Sequence, residues 1–259
     1  MIFDFPLHNF QQFIFVFVRV GAILVSLPFF GSGNIPARFK AALAFVVSLI
    51  AYPLVKFDGI IFPIEVLPLS VSLISEISIG LIIGYGCRLV FAAVQVAGYL
   101  IGFQMGFGIV NVIDPATSSQ VSITSQLENI LSMLIFLSID AHHWFLKGII
   151  DSFSLIPLFG FHLSGALANT LIDMFKNIFV IAIKLGAPVI AALFFTTIAL
   201  GLVARTVPQI NVFIVGFPLQ IGIGLIMMGL TISFFNMVMK GLFIQMGNNM
   251  YLLMKAMGQ

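Results

Sequence analysis

Long stretches with scarcely a charge dominate this chain, and nothing else constrains its fold as strongly. Apolar runs cover about 12–32, 39–57, 66–88, 89–113, 126–150, 166–204 and 211–239. A helix that crosses a bilayer needs about 20 mostly apolar residues, and most of these runs reach that length. The run 166–204 is about twice as long and carries Lys176 and Lys184, so it reads as one long helix, a bent helix or two. A membrane barrel would instead alternate apolar and polar residues over segments of about 10 residues. The chain is 61% hydrophobic and 8% charged, whereas a soluble domain carries roughly 25% charged residues. These patterns predict an all-α integral membrane protein of about six to seven long, kinked apolar helices.

Composition excludes several classes of function. A net charge of +2, scattered along the chain, makes no footprint for nucleic acid. A single cysteine, Cys87, allows neither an intrachain disulfide nor a cysteine metal cluster. The start, MIFDFPLHNFQQF, lacks the basic region and small-residue cleavage site of a signal peptide, so the first apolar run is expected to be retained. Neither GxxxxGK[ST] nor GxSxG occurs, and Gly84-Tyr85-Gly86 lacks the third glycine of GxGxxG. No catalytic residue, cofactor site or metal site is expected.

Small residues and prolines interrupt the apolar pattern. Gly98, Gly102 and Gly106 recur every four residues, as do Gly80 and Gly84. On a helix each set forms a smooth stripe that permits close backbone approach, inside the chain or within an assembly. Gly186-Ala187-Pro188 and Gly216-Phe217-Pro218 lie inside apolar runs, where each proline removes an amide donor and favours a kink.

The ionisable candidates are few. Asp140, His143, Lys147 and Asp151 share one helix face. They fit a proton relay, or a helix end where Lys147 pairs with Asp151. His142 and His143 are adjacent and expected on different sides of a helix, unlike the i, i+4 histidines of zinc-binding helices. Glu76, Arg88, Lys184 and Arg205 are lone charges in or beside apolar runs. Glu76 is too short to snorkel and is expected to make a polar contact between helices.

After the apolar run through Asn111 come Asp114-Pro115 and then Ala116–Ser125, which is small, polar and uncharged. Asp before Pro suits a turn or a helix N-cap. The neutral segment fits either a loop between two apolar helices or a pore lining.

Four stretches carry a family resemblance: RVGAILVSLPFFGSGNIPARFKAALA (19–44), AGYLIGFQMGFGIVNVIDP (97–115), FLSIDAHHWFLKGIIDSFSLIP (136–157) and LGLVARTVPQINVFIVGFP (200–218). Together they resemble the FliR family of flagellar export-gate subunits, whose virulence-secretion relatives form the injectisome T subunit. The resemblance implies a non-enzymatic channel subunit in the bacterial inner membrane and flagellar basal body. It also implies helices arranged as hairpins in a helical export-gate assembly. Implied partners are the P and Q subunits, the export switch protein B, export protein A, exported flagellar proteins and membrane lipid. Residues 1–165 would be the P-like part, and 166–259 the Q-like helical hairpin. In the family, the loop after Gln-Met-Gly is the plug that helps close the pore. Here that motif is Gln104-Met105-Gly106 and the plug is 107–120. Of this plug, Phe107, Ile109, Val110, Val112 and Ile113 would form the obstruction, Gly108 with Gly106 would ease its opening, and Asp114-Pro115 would be its turn. Gly98, Gly102, Gly106, Gly216 and Pro218 would pack and hinge the helices. Glu76, Asp140, His143 and Arg205 would be the polar groups within the membrane. The family pattern often has Asn-Gly or Asp-Gly before the paired histidines, and Asp140-Ala141 departs from it. An injectisome subunit is the near alternative, and a small-molecule transporter or an intramembrane enzyme the distant ones.

Overall fold

The computed structural model describes residues 7–28, 30–31, 35–57, 62–63, 65–107, 122–209 and 211–258. Among these residues all regular structure is helical. The helices are α1 (Leu7–Ser26), α2 (Ala37–Ala51), α3 (Val66–Gln104), α4 (Ile123–Ser138), α5 (Ala141–Leu155), α6 (Gly165–Thr206), α7 (Val212–Leu230) and α8 (Ile232–Met257). A 3-10 turn at Tyr52–Leu54 follows α2. Among the described residues, four helices are long and apolar enough to cross a membrane, or up to six spans if each bent pair counts as one.

The helix breaks differ from those expected. The runs 66–88 and 89–113 lie largely in one helix, α3, because Cys87-Arg88-Leu89 contains no breaker and Arg88 is exposed. The run 166–204 lies in one continuous helix, α6, which passes through Pro188. Conversely, the run 126–150 is split at Asp140, whose φ of 55° and ψ of 26° are left-handed. Aspartate tolerates that conformation better than most residues. The run 211–239 is split at Thr231 rather than at Pro218, with a bend of 58°. At a rise of 1.5 Å per residue, the 39 residues of α3 and 42 of α6 extend about 58 and about 63 Å. Each is about twice the roughly 30 Å hydrocarbon thickness of a bilayer.

Two compact units share these helices, with α3, α6 and α8 contributing to both. The first unit comprises 1–89, 140–175 and 244–259. Its core contains Phe15, Val20 and Ile23 of α1, Ile79 and Ile83 of α3, Ile149 of α5 and Met254 of α8. Gly80 and Gly84 bring α3 against α1: a Cβ on Gly80 would lie 2.9 Å from the Arg19 carbonyl oxygen, and one on Gly84 would overlap Ser26. The Ser26 hydroxyl donates to the Gly80 carbonyl across this contact at 3.2 Å.

The second unit comprises 90–139 and 176–243. Phe91, Phe136 and Phe243 pack together with ring centroids 5.3–6.0 Å apart. A further core gathers Ile101 and Met105 with Val189 and Leu193.

Candidate functional site

Residues flanking 108–121 on both sides belong to the second unit, and their sequences explain how each side is held. Gly106 adopts φ +91°, open to glycine at little cost. Its amide donates to the Phe103 carbonyl at 3.1 Å, and that of Phe107 to the Gly102 carbonyl at 3.1 Å. This pair of bonds is a Schellman motif with Gly106 at the residue after the cap, which terminates α3. Met105, fully buried, packs with Ile101, Val189 and Leu193, and Phe107 packs against the same cluster. Burying a side chain of this size contributes about 1.5–3 kcal/mol. Phe107 is thus anchored in the unit at the head of the segment.

The return end is held by hydroxyl groups against the glycine stripe. Thr124 donates to the Gly98 carbonyl at 2.6 Å, and Ser125 to that of Gln95 at 2.7 Å. A Cβ on Gly98 would stand 2.5 Å from Ser125 Cα, and one on Gly102 would run into the hydroxyls of Ser122 and Thr124. Glycine is required at both positions because the start of α4 occupies that space. The neutral stretch 116–125 therefore does not end as a loop: Ile123, Thr124 and Ser125 are the first residues of α4. Beside this seam lies a groove of about 580 Å³, lined in part by Gln95, Tyr99, Gln126 and Asn129. Its named groups are uncharged and both donate and accept hydrogen bonds. The Oε1 atom of Gln104, in the last turn of α3, is buried without a partner.

Of the obstructing residues predicted from sequence, only Phe107 falls within the described residues. Gly108, Ile109, Val110, Val112, Ile113, Asp114 and Pro115 lie outside them.

The first unit holds a buried charge centre. Arg19 and Glu76 are both fully buried and form a salt bridge, Nε to Oε2 at 2.5 Å. Arg19 Nη1 donates to the carbonyls of Ser152 at 3.1 Å and Ile156 at 2.8 Å. These carbonyls lie at the C-terminal end of α5, where helix geometry leaves acceptor capacity spare; that of Ser152 also accepts from the Ile156 amide at 2.9 Å. The guanidinium also sits 4.4 Å from the centre of the Phe153 ring. Glu76 Oε1 accepts a long bond, 3.4 Å, from the amide of Phe159, a residue held at φ 66°. One ion pair therefore joins α1, α3, the end of α5 and the turn after it.

The family described as bacterial export proteins, family 1, matches residues 10–246. The chain belongs to this family. The flagellar biosynthetic protein FliR of Bacillus subtilis (strain 168) is 38% identical over 241 residues, covering 90% of this chain and 91% of that protein. FliR of Pectobacterium carotovorum subsp. carotovorum is 32% identical over 225 residues, covering 85% and 84%. FliR of Escherichia coli (strain K12) is 30% identical over 212 residues, covering 82% and 80%. The matched span takes in both the seam between α3 and α4 and the Arg19–Glu76 centre.

Asp140, His143 and Arg205 of this export-family chain take no part in either arrangement. Asp140 and His143 are exposed at the turn into α5, and Arg205 is exposed in the last turn of α6. A cation there suits the negative end of the helix dipole. Asp151 accepts from the Tyr251 hydroxyl of α8, in place of the expected pairing with Lys147. His142 and His143 do not diverge as adjacent helical residues were expected to. Their ring centroids are 4.2 Å apart, because both sit in the first turn after the left-handed Asp140. Ligand atoms of Asp140, His142 and His143 lie within 4.8 Å of one another. Tetrahedral zinc with ligands at about 2.1 Å needs spacings of about 3.4 Å, so this set would have to contract to hold the ion. Gly216 is buried in α7, Pro218 is exposed, and the helix continues through both. The Phe217 ring between them faces Gly106, where a Cβ would lie 2.6 Å from its Cδ1.

Sequence reasoning did not single out Arg19 as the partner of Glu76. Its signal was a lone cation near the middle of an apolar run, the mirror of the lone Glu76 in another. Glu128, 5% exposed in α4, was also missed.

Proposed function

We propose that this protein is a non-enzymatic channel subunit of the flagellar type III export gate in the bacterial inner membrane, at the flagellar basal body. It helps form, and helps seal, the pore through which unfolded flagellar proteins leave the cell. Family membership across residues 10–246 is the observation that carries the proposal, and the flagellar names of the relatives favour flagellum over injectisome. The P-like part is 1–165 and the Q-like part 166–259. Its partners are the P and Q subunits, the export switch protein B, export protein A and the exported chains.

Residues 107–120 act as the plug. The fixed base supports this role: Phe107 is anchored in an apolar cluster and the start of α4 is bonded to α3. A segment tethered at both ends can obstruct without being lost when it moves. Its apolar residues Ile109, Val110, Val112 and Ile113 suit a closed constriction, because apolar pores exclude water and ions. Helices of about 60 Å support an assembly that extends beyond the bilayer plane, since that length exceeds the hydrocarbon core.

Affinity purification from membranes tests the assignment. The tagged chain should bring down P and Q subunits in a complex stable to mild detergent. A stable monomer that ignores both subunits contradicts it.

A further inference from the structure

Among the described residues, no basic side chain lines the cavity that holds Glu128. The residue is 5% exposed, and its Oε2 atom has no hydrogen-bond partner among the described residues. It lines a cavity of about 280 Å³ in the second unit, between α4, α6, α7 and α8. The opposite walls are apolar, with Leu185 of α6, Met228 of α7 and Phe235 of α8, and no residue lining the cavity is basic. Thr231, at the break between α7 and α8, also reaches the cavity, but its hydroxyl already donates to the Met227 carbonyl at 2.8 Å.

A buried carboxylate with an unused oxygen is costly unless a cation or a proton joins it. A proton would need no room. Here the carboxylate borders an open space with greasy walls, which suits a long side chain with an aliphatic stem and a cationic tip. We infer that this cavity receives one lysine or arginine side chain from a neighbouring subunit of the export gate, with Glu128 as its counter-charge. The inference rests on the multi-subunit assembly proposed above. It adds a specific socket on this chain, and it makes the break at Thr231 functional, since Thr231 and Ile232 form part of the wall.

Two measurements on the intact complex test the socket. A photo-crosslinking benzophenone side chain at Met228, in an otherwise unaltered chain, should capture a subunit peptide with Lys or Arg within one helical turn of the crosslink. Glu128→Gln keeps the shape and removes the charge. It should lower recovery of the complex at least tenfold while the chain's own membrane level is unchanged. Exchanging the charges, Glu128→Lys with the captured basic residue changed to Glu, should restore recovery. Full assembly of Glu128→Gln, or crosslinks only to lipid or to peptides without a basic residue, overturns the socket and leaves the gate assignment standing. Failure of the unaltered chain to recover any subunit overturns the gate assignment instead, and the socket with it.

Discussion

Arg19 and Glu76, 57 residues apart in sequence, form a fully buried ion pair that also caps the C-terminal end of α5. Removing one partner of such a pair leaves a bare charge with nowhere to go. Glu76→Ala should therefore destabilise the first unit by about 3–5 kcal/mol. Arg19→Met should do similar damage by also removing the guanidinium bonds to the carbonyls of Ser152 and Ile156. The double change Arg19→Met with Glu76→Leu should recover part of the loss, because no buried charge remains. Denaturation midpoints of the purified chain in detergent micelles measure all three; a Glu76→Ala chain as stable as the parent would show the pair to be dispensable.

The glycine stripe at Gly98 and Gly102 predicts a contrast between two alanine substitutions. At Gly98 the new methyl would meet the backbone of Ser125 at 2.5 Å, and such overpacking costs about 1–3 kcal/mol. At Gly201, on an exposed helical surface, nothing beyond its chain neighbours and its own helix backbone lies within 4 Å of the new methyl. There the substitution should gain up to about 1 kcal/mol from helix propensity. Equal effects at the two sites, read by the same unfolding assay, would mean that α4 does not seat on this stripe.

Gly106 separates backbone strain from crowding. Gly106→Ala must hold a left-handed conformation, costing about 1–2 kcal/mol, and must also displace the Phe217 ring. Phe217→Ala in the same chain should relieve the crowding but leave the backbone cost. A double-mutant cycle should therefore show positive coupling between the two positions. Purely additive effects would exclude the contact between Gly106 and Phe217.

How much of this was legible in sequence follows from the kind of interaction involved. The helices were legible because continuous apolar runs and their lengths are local properties. Their breaks were not: Arg88 looks like a boundary yet is carried on the exposed side of α3, while Asp140 ends a helix through a backbone conformation that composition does not reveal. The glycine spacing at 98 and 102 announced a close contact, but not that Ser122, Thr124 and Ser125 would supply it. That pairing joins residues 26 and 30 positions apart, and small hydroxyl residues look like loop residues until their acceptors are known. Glu76 was recognisable as a group needing a partner, and Arg19 as a charge out of place. Joining them required the tertiary fold.

Ion conductance across membranes carrying the complete gate is the most direct test of a pore-sealing subunit. Ile109, Val110, Val112 and Ile113 would be replaced together by glycine, leaving the base at Phe107 and Ser122 intact. Cells or planar bilayers with the altered gate should leak ions well above background while the complex still assembles. Conductance at background with full assembly would contradict a plug in residues 107–120.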